Sequence, residues 1–119
     1  MSHTVTIDVQ FKDMEVLEAT CNKLNIPYKK HDKVTFYDRS THSGFAVYFH
    51  GWKYPLVVDA NSQMHMDTFE GRWGNMEDVQ ALKMHYGVEK VKKIARQKHY
   101  QIKEYTENGK PKLRIYVRN

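Results

Sequence analysis

The sequence predicts an α+β fold, a mainly antiparallel sheet with helices packed on one face, in the order β-α-β-β-β-β-α-β-β. Three observations predict it. An alternating segment opens the chain and gives way to helical spacing, closely spaced alternating segments fill residues 28–59, and an Asn-Gly pair stands near the C-terminus. Tight connections between strands leave room for antiparallel pairing and put the helices on one side. At 119 residues the chain has the size of one domain with one core, and residues 1–119 are expected to form a single domain.

Val5, Ile7, Val9 and Phe11 alternate with polar residues, the period of a half-buried strand. Met14, Leu17, Cys21 and Leu24 follow at helical spacing, with Asp13 placed to cap the start and Pro27 to stop the continuation. Residues 28–59 read as strands. Val34 and Phe36, then Phe45, Val47 and Phe49, stand at alternate positions, and a further strand covers Tyr54 to Val58, with Pro55 making it begin late or lie at an edge. Residues 60–75 are polar and punctuated by Gly71 and Gly74, and read as a long loop. Asn75-Met76-Glu77-Asp78 is a helix start. Val79, Leu82 and Tyr86 then share one face, whereas Val88, Val91 and Ala95 continue the face of Met84. That shift of phase predicts a kink or two short helices near Gly87. Asn108-Gly109 predicts a two-residue hairpin turn, which sets Ile102 opposite Ile115, Lys103 opposite Arg114 and Tyr105 opposite Lys112.

Charge divides the chain. Residues 1–82 hold eight Lys/Arg and eleven Asp/Glu, while residues 83–119 hold eleven and three. A basic third on an acidic body is the signature of an anionic partner. The cations fall on two elements. Lys90, Lys93 and Arg96 crowd the second helix, and on one face of the hairpin Lys103, Arg114 and Arg118 alternate with Tyr105 and Tyr116. Like charges directly opposite in a sheet repel, so Lys103 against Arg114 calls for an anion or an acidic cover. An Arg, Lys and Tyr face suits phosphates and stacked bases. These eight residues are the candidate ligand site. Its partner is read as single-stranded nucleic acid or a nucleotide-like ligand, with a host protein as the alternative.

Several stretches together resemble one family. They are Met1-Ser2-His3, the Phe11-Lys12-Asp13-Met14-Glu15 helix start, Tyr54 to Asp59, the run from Tyr86 to Val91, and the tail from Ala95 through Asn108-Gly109 to Val117. The likeness is to the hypothetical chloroplast reading frame thirty-five family, a domain of unknown function found in plastids, cyanobacteria, other bacteria and tailed phages. Gly71-Arg72-Trp73-Gly74 is similar to a Gly-x-Trp-Gly stretch of the phage-type members, so a phage-encoded member is expected. The likeness covers most of the chain, although residues 30–50 match only in pattern and the loop at 60–72 is longer. It implies a compact α+β fold and carries no activity.

Other chemistry finds little purchase. The seven His include His65 beside Asp67, but no pair has zinc-site spacing. Asp59, at a strand end, suits a catalytic acid or a loop cap equally in position. No nucleophile motif, Walker sequence or dinucleotide fingerprint is present. Trp52 and Trp73 are either packing rings or stacking platforms. No enzyme, cofactor or metal is therefore expected. Cys21 stands alone on a core-facing position and reads as a small buried hydrophobe. No segment approaches the roughly 20 apolar residues of a membrane span, and the opening residues lack an apolar signal region. A cytoplasmic location is expected, in the host if the protein is phage-encoded.

Overall fold

A computed structural model of the protein describes residues 4–8 and 11–117. The elements are β1 (Thr4–Asp8), α1 (Met14–Lys23), β2 (Tyr28–Thr35), β3 (Thr41–Val47), β4 (Leu56–Val58), β5 (Gln63–Asp67), α2 (Met76–Gln97), β6 (Gln101–Glu107) and β7 (Lys110–Tyr116). The order of element types is the expected one, although β5, the fourth strand between the helices, lies beyond the residues 28–59 where those strands were expected. The strands form two sheets, a five-stranded one in the order β1-β5-β4-β3-β2 and the separate β6-β7 hairpin, with every pairing antiparallel.

Both helices pack on one face of the large sheet. Val16, Leu17 and Cys21 of α1 and Val79, Leu82 and Tyr86 of α2 meet Phe45, Val47, Leu56, Val58, Met64 and Met66. The alternation of strand side chains sends Ala46 and Val57 to the other face, where they join Val34 and Phe36 beneath Tyr48 and Tyr54. Cys21 is fully buried, and burial pushes its thiol up to about 12, so it is an inert core residue.

Two expectations need correction. Residues 60–75 are not one loop, because β5 lies inside them and pairs on both sides with β1 and β4. Met64 and Met66 alternate with Gln63, His65 and Asp67, but polar residues on the second face hid the strand, and that face is itself buried at His65 and Asp67. The helix does not break at Gly87, since α2 runs 22 residues without interruption. Its first half packs on the sheet and α1 while its last turns meet the hairpin, so the apolar phase shift marks a change of neighbour and needs no kink. The strand over Tyr54 to Val58 begins late, at Leu56, as Pro55 predicts, and it lies inside the sheet between β5 and β3 rather than at an edge.

The predicted cap and turn are both in place. Asp13 accepts a hydrogen bond from Val16 N–H at 3.2 Å. Asn108 and Gly109 have φ of +52° and +75°, the left-handed pair that a two-residue turn requires and that Gly supplies without strain. The ladder sets Ile102 opposite Ile115, Lys103 opposite Arg114 and Tyr105 opposite Lys112, as the sequence predicts.

Candidate anion-binding surface

The hairpin is fixed to the body by its inner side. After Gln97 the chain reverses through His99, at φ +58°, and Tyr100 N–H bonds back to Ala95 O at 2.9 Å. Strand alternation turns Ile102, Glu104, Leu113 and Ile115 to one face and Lys103, Tyr105, Lys112 and Arg114 to the other. Glu104 is the anchor. It accepts from Lys23 of α1 at 3.0 Å and lies 2.5 Å from Lys92 of α2, while Glu89 stands 3.3 Å from Lys23 and 3.5 Å from Lys92. Lys92, then Lys23, holds the Glu104 carboxyl below its ordinary value.

The candidate residues divide between two situations. Lys90 and Lys93 share the Asp13 carboxylate at 3.0 and 2.6 Å, and Lys93 also lies 3.7 Å from Glu15, so these helix cations are paired with the start of α1. Lys93's hydrogen bond is the largest cause holding the Asp13 carboxyl far below the usual carboxylate range. Burial opposes it, and Lys90 and the Val16 N–H add to it. Arg96 is exposed in the last turn of α2. Lys103 and Arg114 are exposed and directly opposed, and among the described residues neither has a carboxylate partner. Arg114 leans toward Tyr105, its guanidinium carbon 5.9 Å from the ring centroid, a cation–π contact that moves it toward a neutral neighbour. Tyr116 is exposed opposite Gln101. Arg118 lies outside the described residues. The sequence reading passed over Lys110, which lies on the same outer face opposite Glu107 and leaves that acid outnumbered by Lys103, Lys110, Lys112 and Arg114.

Elsewhere most ionisable side chains are already engaged, an exception among the described residues being Asp67 at the end of β5, fully buried with neither carboxylate oxygen hydrogen-bonded. Asp59 caps the turn into β5, its Oδ1 accepting from Asn61 and Gln63 N–H at 2.8 and 2.9 Å and its Oδ2 bonding His65 Nε2 at 2.7 Å. Burial raises this carboxyl, and the bonds from His65, Gln63 and Asn61 outweigh it and hold the carboxyl below its ordinary value. His42 stacks on His65 at 3.9 Å. Burial first, and His65 second, lower its basicity. Among the described residues no group of three or more His, Cys, Asp or Glu could hold a metal ion. A cavity of about 740 Å³ opens between the first half of α1 and β2–β3, with Met14, Phe45 and Val58 in its lining. Of the acids at its rim, Glu18 is held by Lys30 at 2.8 Å, Asp32 by the Tyr48 hydroxyl and Asp59 by His65, while the exposed Glu15 lies 3.7 Å from Lys93.

The two tryptophans differ. Trp52 donates from Nε1 to Asp78 at 2.8 Å and lies against Phe49, and its ring comes so close to Gly74 that a Cβ there would meet it at 2.7 Å. It is a packing residue. Trp73 belongs to a surface cluster with Phe69, Tyr37 and Tyr54 at 4.7, 5.4 and 5.8 Å, with the Lys53 ammonium 4.1 Å from its ring centroid. Three separate loops supply this cluster, and no sequence spacing announces it.

Comparison with family models, curated proteins and solved structures finds no match. No helix of the described residues is long and apolar enough to cross a membrane. What the chain does has to be read from its own surfaces.

Proposed function

We propose that the protein is a non-enzymatic cytoplasmic binding module for a polyanion, in the first place single-stranded nucleic acid, engaged by the outer face of the C-terminal hairpin. One observation carries the reading: Lys103 stands directly opposite Arg114 on an outward face and, among the described residues, neither has a carboxylate partner. Such a pair is repulsive in the free protein, and a phosphate between the two cations removes the repulsion. Tyr105 and Tyr116 on the same face offer rings to unstacked bases, each stack being worth about 1–3 kcal/mol. Lys90 and Lys93 serve the body rather than the ligand, and Arg96 extends the basic surface from the end of α2. A nucleotide-like phosphorylated ligand would use the same cations.

The test is direct titration of the protein with labelled single-stranded DNA and RNA at low salt, with a nucleoside triphosphate as the small-ligand arm. Binding that weakens steeply with salt supports the reading, and absence of binding to every probe at low salt refutes it. The rival reading is a factor that binds and modulates a host protein. It is favoured by the Trp73 cluster at the other end of α2, where Tyr37 is 61% exposed and aromatic and basic residues mix as they do at protein hot spots. Salt-insensitive capture of one protein from nuclease-treated lysate would favour that rival.

A further inference from the structure

α2 is apolar on two sides. Val79, Leu82 and Tyr86 face the core, and Met84 and Val88, two positions beyond Leu82 and Tyr86, stand on the opposite side. Ala81, Met84, Val88, Val91 and Ala95 repeat at steps of three and four, the spacing of a helix-packing seam. At the C-terminal end of this row Ala95 is covered where the chain reverses into the hairpin, but Met84, Val91 and Ile94 are 36–40% exposed. Among the described residues, every exposed large hydrophobic side chain except Tyr37 lies on α2 or along β7 and the residue after it. Apolar exposure gathered in one place marks an interface.

We infer that this row is the interface of a homodimer in which two α2 helices pack antiparallel about a two-fold axis near Gly87 and Val88. A two-fold interface must be complementary to itself, and this one is. When facing residue numbers sum to 175, Met84 meets Val91, Ala81 meets Ile94, Gly87 meets Val88 and Glu77 meets Lys98. Small stands against large and acid against base. A Cβ built on Gly87 touches nothing within 4 Å, so the position is open surface where the partner's Val88 can approach the helix backbone closely. Glu77 and Lys98 form no ion pair within their own chain among the described residues, which leaves both for the partner. A parallel pair would set Glu77 on Glu77, Lys98 on Lys98 and Met84 on Met84. From Glu77 to Lys98 the row is about 32 Å long, and the neighbouring Ile115 and Val117 widen it. That is a small interface, so a weak, concentration-dependent dimer is expected. The dimer is independent of the anion reading.

Sedimentation of the nucleic-acid-free protein tests it. At about 500 µM the expected mass is twice the 14.2 kDa of the chain. Val91→Glu weakens association at least about tenfold with an unchanged circular dichroism spectrum and melting curve. Glu77→Lys and Lys98→Glu each weaken it about threefold, and the double exchange restores it. Because positions 84 and 91 lie two turns apart on one helix, a Met84→Cys/Val91→Cys variant can cross-link only between chains through these two sites, and mapping must show 84 joined to 91. A monomeric mass at that concentration overturns the dimer, including the case where the surface captures another protein instead. A dimer indifferent to Val91→Glu, or cross-links of 84 to 84, overturns the antiparallel α2 interface.

Discussion

Lys93 on α2 and Lys103 on the hairpin are close in the chain and carry the same charge, yet among the described residues only Lys93 has a carboxylate partner. Lys93 lies 2.6 Å from Asp13, a residue 80 positions earlier, and shares it with Lys90. Lys103 faces Arg114 across the strand pair and has no carboxylate partner among the described residues. The cause is geometric. Helical spacing of three brings Lys90 and Lys93 to one side of α2, where the N-cap of α1 meets them, whereas strand alternation sends Lys103 away from the Glu104 that anchors its own hairpin. A basic segment in a sequence is therefore two things in the fold, a clamp and a surface, and the substitutions below separate them.

The largest effect is expected at the clamp. Asp13→Ala removes the cap of α1 and leaves Lys90 and Lys93 repelling one another. It should cost about 2 kcal/mol in urea unfolding, and an unchanged midpoint would show that the clamp contributes nothing. The same pairing sets a pH dependence. The Asp13 carboxyl is depressed in the folded protein, so its contribution is present above the unfolded carboxylate pKa of about 4 and is lost as pH falls below that value. Asp13→Asn should flatten the stability profile in that window and leave it unaltered near neutrality apart from a uniform offset.

The hairpin turn comes next. Gly109→Val puts a β-branched residue at φ +75° and should cost on the order of 1 kcal/mol. Faster hydrogen exchange confined to residues 101–116, with α1 and α2 still protected, is the expected readout. Exchange that quickens equally throughout would mean that the hairpin and body unfold as one unit. The smallest effect on stability belongs to the free surface. Lys103→Ser/Arg114→Ser should change the unfolding free energy by less than about 0.5 kcal/mol, since both side chains are exposed.

The hairpin was legible in the sequence because its signals are local. Asn108-Gly109 fixes the turn, and the turn fixes which residues oppose one another. The start of α1 was legible for the same reason, through Asp13. β5 was hidden because Gln63, His65 and Asp67 are polar on a face that is nonetheless buried, so burial and polarity ceased to coincide. The phase shift at Gly87 was visible, but a second apolar face on an unbroken helix produces the same pattern as a kink. The pairing of Asp13 with Lys93, and the gathering of Lys53 and Trp73, join residues from different elements and leave no periodicity to find. The register of the hairpin residues was thus legible, while the pairing of the helix lysines with Asp13 appears only in three dimensions.

The salt dependence of single-stranded DNA binding, measured in parallel for the wild type, Lys103→Ser/Arg114→Ser and Lys90→Ala/Lys93→Ala, tests the division most directly. Each lost phosphate contact should lower the magnitude of the slope of log affinity against log salt by about 0.7. The hairpin variant is predicted to lose roughly 1.4 units of slope, and the helix variant, folded but less stable, to keep the wild-type slope. Equal loss in both variants, or loss in the helix variant alone, would contradict the assignment of the clamp to the helix and the binding surface to the hairpin.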